Sequence, residues 1–230
     1  MNVTINGVSS DTLQGLQVLA LPPISKPRMR TSVATIDGRA GDRVTRLGYE
    51  AYNRTIRVLL HDTYDLTAIE TFFNDSGNII FSNEPERVYE FETIEAFDFE
   101  RAVRFKTAEI TFHVQPYKLK YPAESQTITG TSGTVRNTGN TNSAPRLRIN
   151  GSGTVTITID GNAAFVVTMP SAGWIVLDAA NMNAYSGENL ANRSVSGSYE
   201  NLILSPGSHT IQRSGGSVSS MVIENASRWI

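Results

Sequence analysis

The chain has 230 residues, with 20 Lys and Arg against 22 Asp and Glu and a formal net charge of −2, so no overall basic field is present to hold a polyanion and tight nucleic-acid binding is disfavoured. It contains no cysteine, which excludes disulfide scaffolds, thiol nucleophiles and Cys-ligated metal centres. The start Met1-Asn2-Val3-Thr4-Ile5-Asn6-Gly7 reads as no signal peptide, and no stretch approaches the ~18 apolar residues of a membrane span, so a soluble protein is expected.

Composition shifts near Tyr121-Pro122-Ala123-Glu124-Ser125. Residues 1–122 carry 14 basic and 16 acidic side chains and residues 123–230 only 6 and 6, while Gly, Ser, Thr and Asn together rise from 30 to 50. Two domains are therefore expected, 1–122 and 123–230. In chain order, Leu21 to Thr31 reads as a basic, proline-bearing arm whose cations Lys26, Arg28 and Arg30 have no acid among them. Such an arm either reaches an acidic neighbour, with its prolines lowering the entropy lost on docking, or is a solvated loop. The polar loop Thr35 to Asp42 follows, where Gly38 and Gly41 suit positive φ or a close backbone approach; it either packs on a neighbour or is a surface turn.

Tyr52 to Leu60 is rich in β-branched and apolar residues and reads as a strand. A helix is expected over Tyr64 to Asn74, with Asp62 as its cap and Leu66, Ile69 and Phe73 on its buried face. Asn78 to Phe81 is extended. Val88 to Phe99 and Ala102 to Gln115 form the arms of a hairpin that buries Tyr89, Phe91, Phe97, Phe99, Phe105, Ile110 and Phe112. Both arms change alternation phase, near Thr93-Ile94 and near Ala108, which calls for bulges or a turn there. The carboxylates Glu84, Glu86, Glu90, Glu92, Glu95, Asp98 and Glu100 could in principle serve a glycosidase or a divalent cation, but Glu90 and Glu92 alternate with Tyr89 and Phe91 as residues of a solvated face do.

The second half alternates almost throughout. Thr154 to Ile159 and Ala164 to Val167 flank a Gly-bearing turn, and Arg146 to Ile149, Trp174 to Leu177, His209 to Arg213 and Val218 to Ile223 read as further strands. Short strands with regular turns and no helix imply a β-sandwich. None of the three histidines has a second His or a metal-spaced carboxylate nearby in sequence, so neither a zinc site nor a hydrolytic triad is evident, and no cofactor is expected. Gly151-Ser152-Gly153 and Ser214-Gly215-Gly216 precede no helix and read as turns rather than phosphate loops. Trp174 could stack on a sugar ring or pack in the core.

Two sets of motifs resemble the distal tail (Dit) proteins of long-tailed, non-contractile bacteriophages. Thr35-Ile36-Asp37-Gly38-Arg39-Ala40-Gly41-Asp42 resembles their N-terminal "pGrdG" loop. It is followed in the same order by a strand, one helix, an "L.fs..P..yy" segment at Ile79 to Tyr89 and a closing "ItF...P" strand at Ile110 to Pro116. The second half is similar to the family's C-terminal sandwich, with Asn137-Thr138-Gly139-Asn140, Ala144 to Gly153, the turn Leu204 to Ile211 and the terminus Arg228-Trp229-Ile230.

The resemblance implies a mainly β fold with one helix, an N-terminal belt domain and a C-terminal galectin-like β-sandwich, and no enzyme. It implies a structural role at the virion tail tip, for a chain made in the host cytoplasm: a hexameric ring that joins the tail tube protein to a fibre-like protein, carries receptor-binding proteins in some phages and lets DNA pass without binding it. The sites to expect are then an assembly loop at Gly38, Arg39, Gly41 and Asp42, an inter-subunit arm at Lys26, Arg28 and Arg30, and either a channel-lining or an exterior face at Glu90, Glu92 and Glu95. Carbohydrate binding is the alternative function, although the sequence clusters no His, Asn, Arg and Trp that would build a sugar site.

Overall fold

A computed structural model describes residues 1–73, 75–95, 100–102, 105–171 and 173–230. The expected buried positions Phe97 and Phe99, the carboxylate Asp98, the helix end at Asn74 and the side chains of Glu100 and Phe105 lie outside what is described. Two compact units are formed, residues 1–118 with Ile230 and residues 119–229. Among the described residues no helix is long and apolar enough to cross a membrane.

The first unit comprises β1 (Val3–Ile5), β2 (Val8–Ser9), β3 (Leu16–Ala20), β4 (Met29–Thr35), β5 (Asp42–Tyr49), β6 (Tyr52–Leu60), α1 (Leu66–Phe72), β7 (Gly77–Phe81), β8 (Arg87–Ile94), β9 (Glu100–Ala102) and β10 (Phe105–Lys120). Its main sheet runs β2-β1-β7-β8-β10-β6-β3, with β9 paired to β10. β6 alternates strictly, burying Arg54, Ile56, Val58 and Leu60, and β10 does the same with Ala108, Ile110, Phe112 and Val114. These inward rows meet Ile69, Phe72 and Phe73 from the helix segment in a single core. Phe112 lies at its centre, edge-on to both Phe81 and Phe91.

The structure moves two expectations. The helix is shorter than Tyr64 to Asn74 and starts two residues later, because Asp65, not Asp62, caps it by accepting from the Ala68 amide at 3.1 Å. Leu66 is thereby left 45% exposed and Phe72 joins the core. No bulge interrupts β10 near Ala108, since its register against β6 runs unbroken from Lys106 to Val114; the small Ala108 is itself an inward residue, which imitates a change of phase.

The second unit comprises β11 (Ser125–Ile128), β12 (Ser132–Asn137), β13 (Arg146–Ser152), β14 (Thr154–Ile159), β15 (Asn162–Thr168), β16 (Trp174–Asp178), β17 (Asn183–Ser186), β18 (Asn189–Leu190), β19 (Val195–Gly197), β20 (Gly207–Ser214) and β21 (Ser217–Glu224). They form two sheets, β11-β21-β13-β16-β17-β18 and β12-β20-β14-β15-β19. The inward rows Leu147 and Ile149, Ile175 and Leu177, and Met221 and Ile223 of the first join Val155, Ile157, Phe165 and Ile211 of the second in one core. The Asn137 to Asn140 motif has a structural cause. Asn137 Nδ2 donates to the carbonyls of Thr141 and Leu204, its Oδ1 accepts from the Gly139 amide, and a Cβ on Gly139 would lie 1.8 Å from the Arg228 carbonyl. Only glycine fits that approach.

Candidate assembly surfaces and polar clusters

Among the described residues β4 and β5 pair only with each other, in register from Met29 opposite Tyr49 to Thr35 opposite Asp42. Every residue from Arg30 to Leu47 is exposed. Directly opposed residues share a face of the ribbon, so Val33 and Val44, each 56% exposed, form an apolar pair on one face with Thr31 and Arg46 beside it. Ile36 at the tip and Leu47 near the base are also open to solvent. The tip holds the four predicted loop residues. Arg39 N–H donates to Ile36 O at 3.1 Å, Gly38 and Gly41 adopt φ of 79° and 80°, and Asp42 accepts from the Thr35 hydroxyl at 3.1 Å. A Cβ on either glycine would meet nothing within 4 Å, so the backbone conformation alone, not crowding within the chain, calls for glycine there.

The predicted arm is the root of this ribbon. Arg30 already belongs to β4 and donates to Leu47 O at 3.5 Å, Lys26 lies 5.7 Å from the Tyr49 ring centroid, and Arg28, itself exposed, accepts at its carbonyl from the Glu50 amide. The preceding residues are tied down from below. Arg54 Nη1 donates to Pro23 O at 2.5 Å and Ser25 Oγ at 3.0 Å, and Asn83 Nδ2 to Pro22 O at 2.9 Å.

That arginine is 1% exposed and belongs to a buried ion cluster that sequence reasoning missed. Glu84 receives Arg54 Nη2 at 3.2 Å, Lys118 Nζ at 2.8 Å and the Tyr89 hydroxyl. Two cations thus share one carboxylate, with the guanidinium 5.3 Å and 5.0 Å from the Phe81 and Tyr89 ring centroids. Burial works against the charge on Glu84, but the bonds from Lys118 and Tyr89 and the charges of Lys118 and Arg54 outweigh it and hold the carboxyl below its ordinary range. Burial, and then the bond to Glu84, push the Tyr89 phenol up. Within the acidic run, only the sequence distance to Arg54 and Lys118 hid this role of Glu84.

Glu90, Glu92 and Glu95 are exposed, as expected for a solvated face. Two of them are engaged laterally: Gln115 Nε2 donates to Glu92 at 2.7 Å, and Asn53 Nδ2 donates to Glu95 at 2.7 Å while its Oδ1 lies 2.9 Å from His113 Nδ1. The face also carries the opposed pair Arg57 and Glu109, so it is a mixed polar surface rather than a uniformly negative one.

In the second unit, Trp174 is half-buried on the outer face of its sheet, and its neighbour Ile175 fills the core. Period-2 alternation requires the two to point oppositely. The register sets Trp174 opposite Asn150, Asn150 opposite Ser220, and Val176 and Val222 on either side of Arg148. The Arg148 guanidinium lies 4.4 Å from the Trp174 ring centroid and donates through Nε to Asn150 Oδ1 at 3.2 Å, and Asn150 Nδ2 donates to Ser220 Oγ at 3.0 Å. An Arg, an Asn and a Trp therefore do gather on one face, although the sequence spreads them over 27 positions.

Ser205, His209 and Asp160 also converge. His209 Nδ1 lies 2.7 Å from Asp160 Oδ2, and Nε2 lies 2.7 Å from the Ser205 carbonyl and 3.4 Å from its hydroxyl. Both ring nitrogens thus face acceptors, and a ring that donates on both sides is an imidazolium with no nitrogen left to take a proton from the hydroxyl. The trio is a clamp on the Asp160 turn, reinforced by the Thr210 amide donating to Asp160 at 2.8 Å. Burial opposes the charge on His209, yet the bonds to Asp160 and Ser205 hold its pKa above the ordinary value, and the bond from His209 lowers that of Asp160.

The chain thus combines a helix-bearing antiparallel sheet and an exposed two-stranded ribbon in its first unit with a β-sandwich in its second. In sequence, neither a family model nor a curated protein matches. Among solved structures, the Dit protein (gp 19.1) of phage SPP1, described as a paradigm of the hub adsorption apparatus in phages infecting Gram-positive hosts, superposes with a TM-score of 0.69 at 15% identity, over 100% of this chain and 99% of that one. The phage P2 baseplate in its activated conformation with Ca matches over 95% of this chain and 92% of that one, at 8% identity and a TM-score of 0.52. The same baseplate with Sr matches over 93% and 91%, at 10% identity and a TM-score of 0.55. The chain has the Dit fold over its whole length.

Proposed function

We propose that the protein is a structural hub of a phage tail tip, assembling as a hexameric ring that joins the tail tube to a fibre-like or receptor-binding apparatus and leaves a channel for DNA. Residues 1–122 form the belt in this reading and residues 123–230 project from it, and the protein acts in the virion tail rather than as an enzyme. The observation that carries it is the ribbon of β4 and β5. A two-stranded element that pairs with no further strand among the described residues and holds open apolar residues on one face suits a second protein surface. The Dit fold along the full chain supports the same role. A head-to-tail contact that closes on itself gives cyclic symmetry. Mass photometry of the purified chain tests this: a closed ring is expected for the full chain and for residues 1–122, and a strict monomer at high concentration, alone and with a tail partner, overturns it.

The outer face around Trp174, Arg148 and Asn150 favours a second reading, in which the sandwich binds carbohydrate during host adsorption. Indole, guanidinium and amide groups held on one sheet face offer stacking and hydrogen bonding together. A glycan array followed by titration of a soluble sugar tests it, with loss of binding in Trp174→Ala and Arg148→Ala as the expected result and no binding by the native chain as the refuting one.

A further inference from the structure

One sheet of the second unit has an outer face whose charge is left unbalanced. Opposed residues of antiparallel strands share a face, so the register sets Arg148 between Val222 and Val176 and, one row along, Arg146 between Glu224 and Asp178. The second row is matched: Arg146 Nε donates to Asp178 Oδ2 at 2.9 Å, with Glu224 on its other side. Arg148 is different, because both of its opposed neighbours are valines and among the described residues it forms no ion pair. Its Nε donates to Asn150 Oδ1 at 3.2 Å and its plane lies 4.4 Å from the Trp174 ring centroid, while its two Nη groups bond to no described acceptor. A half-buried guanidinium fixed by an indole and an amide, with its fork of donors free, is preorganised for an oxyanion. Polar hydrogens stand beside it. Ser220 Oγ accepts from Asn150 Nδ2 at 3.0 Å, which leaves the Ser220 proton and the second Nδ2 hydrogen to be donated elsewhere.

We infer that this face binds an anionic saccharide, a sugar carrying a phosphate or a carboxylate, with the Nη groups of Arg148 as the two-pronged anchor of its oxyanion. The inference rests on the carbohydrate reading above and names the class of sugar. Trp174 and Val222, both half-buried, give apolar surface to the C–H side of a pyranose, and the free hydrogens of Ser220 and Asn150 meet its hydroxyls. Arg148 and Ser220 are diagonal neighbours across one strand pair, about 7–8 Å apart, which is the span of one sugar ring with a charged substituent. An acidic peptide would also neutralise the guanidinium, but the hydroxyl and amide donors set around it favour a hydroxylated ligand. Glu224 occupies the opposite diagonal from Ser220 and repels the same anion, so its removal has an effect of known sign.

A glycan array with phosphorylated, uronate-bearing and neutral members tests this, followed by titration of the best anionic member against its dephosphorylated or methyl-esterified form. Fluorescence of Trp174 in a Trp229→Phe chain reports binding at the site itself. The anionic form should bind at least about tenfold more tightly than the neutral one. Arg148→Lys keeps the charge but not the planar fork, and should lose at least about fivefold of that preference. Glu224→Gln should tighten binding of the anionic form alone, and Arg136→Gln, exposed on the other sheet, should change neither. Inorganic phosphate and poly-glutamate, added as competitors, should each need at least about tenfold the concentration of the glycan itself. Neutral glycans bound as well as anionic ones, or a preference unchanged in Arg148→Lys, overturn the inference while the carbohydrate reading stands. Competition by phosphate or poly-glutamate as strong as the glycan's own overturns it in favour of a simple anion site or an acidic protein surface. A native chain that binds no glycan of either kind overturns both readings.

Discussion

Replacing Glu84 by Gln isolates the energetic role of the buried ion cluster. The carboxylate neutralises Arg54 and Lys118, which are 1% and 5% exposed, and it accepts hydrogen bonds from both and from Tyr89. Gln removes the charge and turns a donor toward two buried cations. Breaking a buried pair from one side costs about 3–5 kcal/mol, most of it the penalty of an uncompensated charge. For a unit of residues 1–118, at roughly 4 °C per kcal/mol, the expected fall in melting temperature is about 12–20 °C. Trp174 belongs to the second unit, whereas Trp229 sits in a short strand paired to β10 of the first unit's sheet, so calorimetry should show the loss in a transition that the fluorescence of a Trp229→Phe chain, which keeps Trp174 alone, does not follow. Acid should act in the same direction. The folded pKa of Glu84 lies below the unfolded value, so its contribution is present above about pH 4.3 and is lost as pH falls through the lower folded value. Glu90→Gln, on the solvated face, should change stability by no more than about 0.5 kcal/mol. A Glu84→Gln shift below about 2 °C, or one equal to that of Glu90→Gln, refutes the idea that this cluster holds the first unit and the ribbon root together.

Three further outcomes are expected. Gly41→Val forces a β-branched residue to φ near 80° at the ribbon tip and should weaken assembly while leaving both unfolding transitions within about 1 kcal/mol of native, because a Cβ there would meet no described atom within 4 Å; unchanged ring formation would show the tip to be a surface turn. His209→Gln should reduce the stability of the second unit in a pH-dependent way: the raised folded pKa means the clamp contributes fully below about pH 6.5 and fades as pH rises through the folded value, so tryptophan-monitored denaturation of native and variant should converge at alkaline pH, and a pH-independent gap would rule out the imidazolium. Lysine at Glu90, Glu92 and Glu95 together should create salt-sensitive DNA retention in a reconstituted ring if this face lines the channel, at a cost of about 1–2 kcal/mol for the lost bonds from Gln115 and Asn53; no gain in DNA affinity at low salt would place the face elsewhere.

Alternation carried the sequence reading wherever one face of a strand is buried and the other wet. Tyr89 and Phe91, Ile110 and Phe112, and nearly the whole second unit follow that rule. β4 and β5 escaped it for the same physical reason: both faces of the ribbon are exposed, so Thr31 to Thr35 and Asp42 to Leu47 mix polar, basic and apolar residues with no buried row to mark a strand. The helix start was ambiguous because Asp62 and Asp65 stand three residues apart and either can cap. The clusters were hidden by separation, not by residue type. Glu84 meets cations 30 and 34 positions away, His209 meets Asp160 across 49, and Arg148 meets Trp174 across a strand pairing that no local pattern specifies.

A two-stranded ribbon standing alone in water is marginally stable, and this one presents Arg39, Arg43 and Arg46 on exposed, extended or turning backbone. Those are the features by which a trypsin-like protease selects a cleavage site. A subunit whose ribbon is seated in another protein hides the same bonds. If the ribbon seats in a neighbour as proposed, cleavage within residues 39–46 would distinguish surplus subunits from incorporated ones, and one element would both join the assembly and mark for destruction whatever is left out of it.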